Sequence, residues 1–313
     1  MGRRRNYGRP VNGIIVLDKP AGVTSNALLQ QAKRTYFANK AGHTGSLDPL
    51  ATGVLPICLG EATKFSQYLL DSDKGYISTF ILGAQTDTAD ADGEIQATQD
   101  ASHITRDDVE SILAQYRGDI MQVPPMYSAL KHNGQPLYKL ARKGVEVEIK
   151  PRAVTIYEFE LLDFRPGQLA QVDVKVLCSK GTYIRSLAVD IGHDLNVGGH
   201  VSVLRRTQAG AFTLEHAHTI ESLEAERGEQ QAHVLDHHLM PMDKAIDDLP
   251  KLDLDDSSAH YFMQGQAVMD GRVYRLGDEG DTIRVFNEQG QFYGIGTITD
   301  EGTVAPKRLV NYT

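Results

Sequence analysis

Gly42-His43-Thr44-Gly45-Ser46-Leu47-Asp48-Pro49-Leu50-Ala51-Thr52-Gly53-Val54-Leu55-Pro56 is the stretch on which both fold and chemistry turn. Its glycines open backbone geometries that other residues avoid, so this is a shaped loop rather than a helix. Pro49 fixes the backbone directly after Asp48 and removes a donor. A carboxylate held on such a loop suits a catalytic acid, base or nucleophile. The plainer alternative is an Asp that caps the turn through its side chain, and local composition alone favours it. The loop runs into Val54–Leu59, a short apolar run that reads as a buried strand.

Working outward, residues 12–20 read as a buried strand ended by Pro20. Thr24 to about Phe37 reads as a helix capped by Thr24 or Ser25. Glu61–Leu70 has helical spacing, Tyr76–Leu82 reads as a strand, and Asp87–Glu94 is acidic and turn-rich. Thr105-Arg106-Asp107-Asp108 has the form of a capping box before the stripe Val109, Ile112, Leu113 and Tyr116. Pro124-Pro125 break the pattern, and a basic segment containing aromatics runs from Met126 to Lys143. Val172, Val174, Val176 and Cys178 alternate as one strand face, and Ile184, Leu187, Ala188, Ile191 and Leu195 mark a helix. Residues 211–248 are acidic, rich in His, and mostly helical or linking. From about Leu249, short β runs separated by Gly turns suggest a small barrel: Ile283–Phe286, the turn Glu288-Gln289-Gly290, and Phe292–Ile298. The picture is a mixed α/β main domain followed by a β-rich C-terminal module of roughly 65 residues.

The formal charge of -9 speaks at first against a nucleic-acid partner. Its distribution is more informative. Residues 1–210 carry 24 Lys+Arg against 22 Asp+Glu, a net of +2, while residues 211–313 carry 8 against 19, a net of -11. Basic clusters at Arg3–Arg9, Lys131–Arg152 and Lys175–Arg206 could track phosphates or simply be solvated faces. No 18-residue apolar run and no secretory h-region are found, so membrane insertion and export are not expected and the cytoplasm is. Cys58 and Cys178 alone cannot build a disulfide framework. There is no G-x-G-x-x-G, no G-x-x-x-x-G-K-[ST] and no H-E-x-x-H, so dinucleotide, nucleoside-triphosphate and zinc-protease chemistry lack their motifs. His233, His237 and His238 cluster without a Cys, and an exposed acidic helix explains them as well as a metal would. No metal and no cofactor are therefore expected.

The 42–56 stretch resembles the catalytic motif of the TruB-type family of tRNA pseudouridine synthases, which convert uridine 55 in the T-loop. The resemblance extends over nearly the whole chain. Gly13–Pro20 with Ala21-Gly22-Val23-Thr24-Ser25 is similar to the family's lysine-proline motif. Tyr76 stands at its active-site tyrosine, and Cys178-Ser179-Lys180-Gly181-Thr182-Tyr183-Ile184-Arg185 matches its third motif. Leu204-Arg205-Arg206 matches the region that supplies a pocket leucine, and Pro124–Lys131 is likewise similar. The last 65 or so residues resemble the family's PUA domain more loosely, through Gly265-Gln266 and the strand pattern.

What the resemblance implies is concrete. The fold would be the α+β fold of the pseudouridine synthases, a mixed, mostly antiparallel sheet with flanking helices over 1–248, with a small β-barrel PUA-like domain over 249–313. Asp48 would be the nucleophile, attacking either sugar or base. Arg185 would offset its burial through two charge-assisted hydrogen bonds. Tyr76 and Tyr183 would contact the flipped base, with Tyr76 a candidate for removing the C5 proton. Leu204 would wall the uracil pocket, and His43 would fill the gap left in the T-loop. Lys131, Lys139, Arg142, Lys143 and Lys150, with Tyr127 and Tyr138, would form a mobile insertion at about 124–152 that closes on the T-arm of tRNA. No required protein partner is expected, and the protein is expected to be a monomer. Rival readings are a tRNA-binding folding helper without catalysis, and a uridine methyltransferase, for which neither Cys has a reactive setting.

Overall fold

The computed structural model describes residues 7–145 and 147–312. Arg3, Arg4 and Arg5 of the first basic cluster lie outside the described residues. The core is a 10-stranded sheet whose main path runs Ala217–His218, Gly13–Lys19, Thr52–Leu59, Gly199–Ala209, Lys74–Leu82, Ala170–Cys178, Arg152–Arg165 and Gly118–Gln122. Ala41–His43 pairs with Thr52–Leu59, and Phe212–Thr213 with Gly199–Ala209. Neighbours are antiparallel except at two seams, where Val16 faces Ala217 and where Arg205 and Arg206 face Thr52 and Gly53. The expected mixed, mostly antiparallel α+β class is what the structure has.

Along several strands burial follows the apolar pattern of the sequence. Gly13–Lys19 and Thr52–Leu59 are covered on both faces and read as nearly unbroken apolar runs. Ala170–Cys178 alternates, with Val172, Val174, Val176 and Cys178 buried, and pairs Val176 with Tyr76. A buried apolar side chain contributes roughly 1.5–3 kcal/mol. A one-residue slip would turn that whole face to solvent, so the register is firmly set.

Helices Ile184–Asp194 and Arg106–Gln115 pack on this face; Thr105 and Asp108 close the capping box reciprocally. Helix Ser25–Thr35 starts at Thr24, whose side chain accepts the Ala27 N–H at 3.1 Å. It packs with Ile220–Arg227 over a separate cluster around Ile15, Leu17 and Leu55. Glu61–Leu70 is not one helix: a 3-10 turn, Gly60–Lys64, gives way at Phe65 to the short helix Ser66–Asp71. The break buries Phe65 against Phe292, ring centres 5.2 Å apart, a contact the local spacing could not anticipate.

A second, 5-stranded sheet is ordered Lys251–Leu254, Thr282–Asn287, Phe292–Ile298, Thr303–Leu309, Val268–Met269. The β pattern at 283–298 holds, but the module also contains helix Asp256–Met263, capped by Asp255 and closing the sheet with Phe262. It joins the first sheet through Phe286, Phe292, Ile295 and Val310, and through Lys64 Nζ donating to Leu309 O at 2.8 Å. No helix among the described residues is long and apolar enough to cross a membrane.

Candidate active site

Asp48 sits where the parallel seam opens the sheet, and its loop is fastened from several sides. The Lys19 ammonium, with none of its surface exposed, donates to Pro20 O, Pro49 O and Ala51 O at 2.8, 3.2 and 2.6 Å. Ser25 Oγ accepts from Leu47 N at 2.8 Å and donates to Leu47 O at 3.1 Å. Gly22 N reaches Pro49 O at 2.8 Å. Gly53, at φ +102°, lies so close to the facing strand that a Cβ would stand 2.1 Å from Arg206 O. Only glycine fits there, and the seam depends on it.

Arg185 opens helix Ile184–Asp194 with its side chain 4% exposed, and its Nε donates to Asp48 Oδ2 at 2.9 Å. The expected two-bond grip is not formed. Nη1 and Nη2 instead donate to Thr88 O at 2.8 Å and Tyr127 O at 2.7 Å, with Asp90 Oδ2 3.6 Å from Nη1. The backbone carbonyls take the donors that a second carboxylate bond would have used. They hold the guanidinium still while leaving one Asp48 edge toward the cleft.

Desolvation pushes the Asp48 carboxyl above its ordinary range, opposed chiefly by Arg185, reinforced by Asp90 and countered further by Lys19. The Lys19 ammonium is itself lowered to about 8 by burial.

His43, Asp48, Tyr76, Tyr183, Arg185 and Leu204 all line one cleft of about 470 Å³. Tyr76 and Leu204 come from neighbouring strands, and Tyr183 from the helix N-cap, held by Gln122 through 2.7 and 3.0 Å bonds to its N–H and C=O. Burial raises the Tyr76 phenol, with Arg206 pulling the other way. Burial, then Arg206, lowers the His43 imidazole, whose Nδ1 is enclosed without a protein partner. A second cleft of about 460 Å³ shares His43, Asp48 and Arg185 and is bordered by Tyr127, Tyr138 and Arg142. Asp48 thus stands on the wall between two recesses.

The basic segment folds as a small hairpin, Lys131–His132 with Gln135–Pro136, followed by the turn of helix Leu137–Ala141. Arg142 lies over the Tyr138 ring at 5.6 Å. Among the described residues, none of Lys131, Lys139, Arg142, Lys143 and Lys150 forms an ion pair. Cys58 and Cys178 are buried, with burial as the first cause pushing both thiols up to about 12, a setting opposed to thiolate chemistry.

The His cluster is composed differently from its sequence neighbours. His233 is exposed and apart, while His237 and His238 meet Glu226.

Several site residues escape a reading of single motifs. Asp90 reads as part of an acidic turn, yet it is buried beside Arg185. Gln122 ends an edge strand and locks Tyr183. Arg206 reads as a surface cation, yet it is 2% exposed, donates from Nε to Val54 O at 2.7 Å, and keeps Nη2 unpartnered. Lys19 carries a signal, its place before Pro20, but nothing local shows that it reaches three carbonyls.

Comparison with known proteins gives this geometry a class and then a family. Solved structures share the fold: an archaeal box H/ACA sRNP Nop10–Cbf5 complex matches at TM-score 0.70 and 24% identity, covering 98% of this chain and 92% of that one. A Cbf5–Nop10–Gar1 complex matches at TM-score 0.70 and 25% identity, covering 98% and 91%. The model "TruB family pseudouridylate synthase (N terminal domain)" matches residues 33–184. "tRNA pseudouridylate synthase B C-terminal domain" matches 185–247, and "Pseudouridine synthase II TruB, C-terminal" matches 250–310. The chain is 68% identical over 311 residues to tRNA pseudouridine synthase B of Saccharophagus degradans, covering 99% of each. It is 51% identical over 310 residues to the protein of that name from Pseudomonas aeruginosa, again covering 99% of each. The chain belongs to the TruB family of pseudouridylate synthases.

Proposed function

We propose that this protein isomerises uridine 55 in the T-loop of tRNA to pseudouridine, with Asp48 as the nucleophile. The observation that carries this reading is a carboxylate paired with a buried, immobilised guanidinium at the wall of a cleft lined by two tyrosines and a leucine. The tRNA substrate is what the relatives' names state of those proteins. The reaction breaks the N1–C1′ bond, turns the uracil and rejoins it through C5, which then loses its proton. No redox step or transferred group is required.

Asp48 is half-buried, which strips its carboxylate of part of its solvation, while the Arg185 Nε–H keeps it ionised and aimed. The uracil enters by flipping, which costs about a few kcal/mol of lost stacking. His43, neutral because burial lowers its pKa, offsets part of that cost by stacking in the vacated space. Leu204 and Tyr183 enclose the detached base so that it turns without escaping. Burial keeps the Tyr76 phenol protonated at rest, so abstraction of the C5 proton by Tyr76 requires prior loss of its own proton, favoured by Arg206. The cations and rings of 127–150 grip the T-arm backbone beside the second cleft.

We divide the chain into a catalytic domain, 1–248, and a PUA-like RNA-binding domain, 249–313, working as a monomer in the cytoplasm without a protein partner. The test is tritium release from tRNA labelled at C5 of uridine. Asp48→Asn is expected to lower release by at least about 10³-fold, within the range for loss of a reacting group, while binding tRNA within a few-fold of wild type. Normal turnover in that variant sinks the assignment. Binding without any release by wild type leaves only a folding or binding role.

A further inference from the structure

We infer that Glu226, His237 and His238 form a binding site for a divalent transition-metal ion of the zinc type, remote from the catalytic cleft. One ligand atom from each of the three residues lies within 4.8 Å of the others. His237 Nε2 and His238 Nε2 face the two oxygens of the same carboxylate, at 3.3 Å from Oε1 and 2.7 Å from Oε2. Imidazole nitrogen with carboxylate oxygen is a donor set that suits zinc, cobalt or nickel rather than magnesium or calcium.

A second observation concerns the His237 tautomer. Its Nδ1 lies 2.8 Å from Val234 O and donates to that carbonyl, which leaves Nε2 as the nitrogen that a metal ion would use. Metal-binding histidines are oriented by this kind of backbone carbonyl contact. His238 is held in place by the His218 ring, whose centre is 4.4 Å away, and its side chain is only 17% exposed. Three protein ligands leave a tetrahedral ion one position for water.

The placement gives the ion a mechanical role. Glu226 lies in the last turn of helix Ile220–Arg227, while His237 and His238 end the 3-10 segment Ala232–His238. An ion would therefore clip the two ends of this connection. It would also fix the segment on which Asp236 holds Arg9 through a 2.7 Å bond to its Nη1. A structural ion at a surface connection raises stability without entering the reaction, because it binds the folded state and not the unfolded one.

The test uses full-length, untagged protein, stripped with a chelator and desalted, titrated with zinc sulfate by calorimetry and with cobalt(II) by absorption spectroscopy. We expect one ion per chain, a tetrahedral cobalt spectrum, and a Tm that rises with zinc. His238→Ala and His237→Gln are each expected to weaken zinc binding at least about tenfold, comparable to losing a ligand or its support. His233→Ala, from the same segment but outside the cluster, retains wild-type affinity. Should His238→Ala fail to fold, His237→Gln, exposed in the free protein, carries the comparison. The site is overturned by absence of saturable binding, by wild-type affinity in both cluster variants, or by an equal loss in His233→Ala.

Discussion

The loop that carries Asp48 and the basic segment that borders it are built in opposite ways. Residues 42–56 are clamped by a buried ammonium, a buried serine and a parallel strand approached at glycine distance. Residues 127–145 are tied to the main domain at Tyr127 O, which accepts from Arg185 Nη2 at 2.7 Å. They otherwise fold on themselves through Leu137 N to Leu130 O at 2.7 Å and Tyr138 N to Ser128 O at 3.0 Å, with Leu137 the single buried side chain of the helix Leu137–Ala141. The first arrangement fixes a reacting atom; the second offers cations and rings that can adjust to a backbone. Positioning within about 0.5 Å matters for catalysis, whereas phosphate contacts tolerate rearrangement because they act through charge.

That contrast can be broken most severely at Gly53. Gly53→Val would place a branched side chain where even a Cβ is 2.1 Å from Arg206 O, in a backbone region unsuited to it. We expect a loss of more than about 4 kcal/mol, the range of exceptional single substitutions, seen as a collapse of the denaturant midpoint or of soluble yield. A near-normal midpoint would mean that the seam is softer than the clamps suggest.

Arg185→Met sharpens the electrostatic half of the comparison. Burial already lifts Asp48 above 3.8, and Arg185 is the largest force against that lift. Its removal is expected to lower kcat/KM about 10²–10³-fold, the scale for losing one preorganised electrostatic donor. It should also move the acidic limb of the pH–rate profile upward. The sign follows from linkage: a carboxyl raised in the folded state binds its proton more tightly there than when unfolded. Its ionisation therefore costs stability as pH rises through the raised value. Asp48→Asn should for the same reason be at least as stable as wild type at pH 7 and lose that advantage below pH 3.8. A downward shift of the limb, or a destabilised Asp48→Asn at neutral pH, would contradict this balance.

The smallest effect is expected in the adaptable segment. Lys139→Ala with Arg142→Ala should weaken tRNA binding roughly three- to tenfold and leave Tm unchanged. The salt dependence of binding should become shallower by about 0.7 for each phosphate that is no longer neutralised. Unchanged affinity and slope would remove this segment from the RNA interface.

Much of the molecule was readable from short-range pattern. The alternation Val172-Val174-Val176-Cys178, the Thr24 cap and the Thr105–Asp108 box report interactions between near neighbours, and those survive folding unchanged. The density of Gly, Pro and hydroxyl residues around Asp48 likewise marked a shaped loop, and the six residues expected to form the site do meet in one cleft. The break at Phe65, the helix Asp256–Met263 and the meeting of Glu226 with His238 were not readable locally. The same is true of how Arg185 divides its donors among Asp48, Thr88 and Tyr127. Nor could local pattern tell that Lys19 and Arg206 are buried. A long cation looks the same in sequence whether it reaches water or three carbonyls. Which it does depends on chain segments 30 or more residues away, and only the packed sheet brings those segments within hydrogen-bond reach.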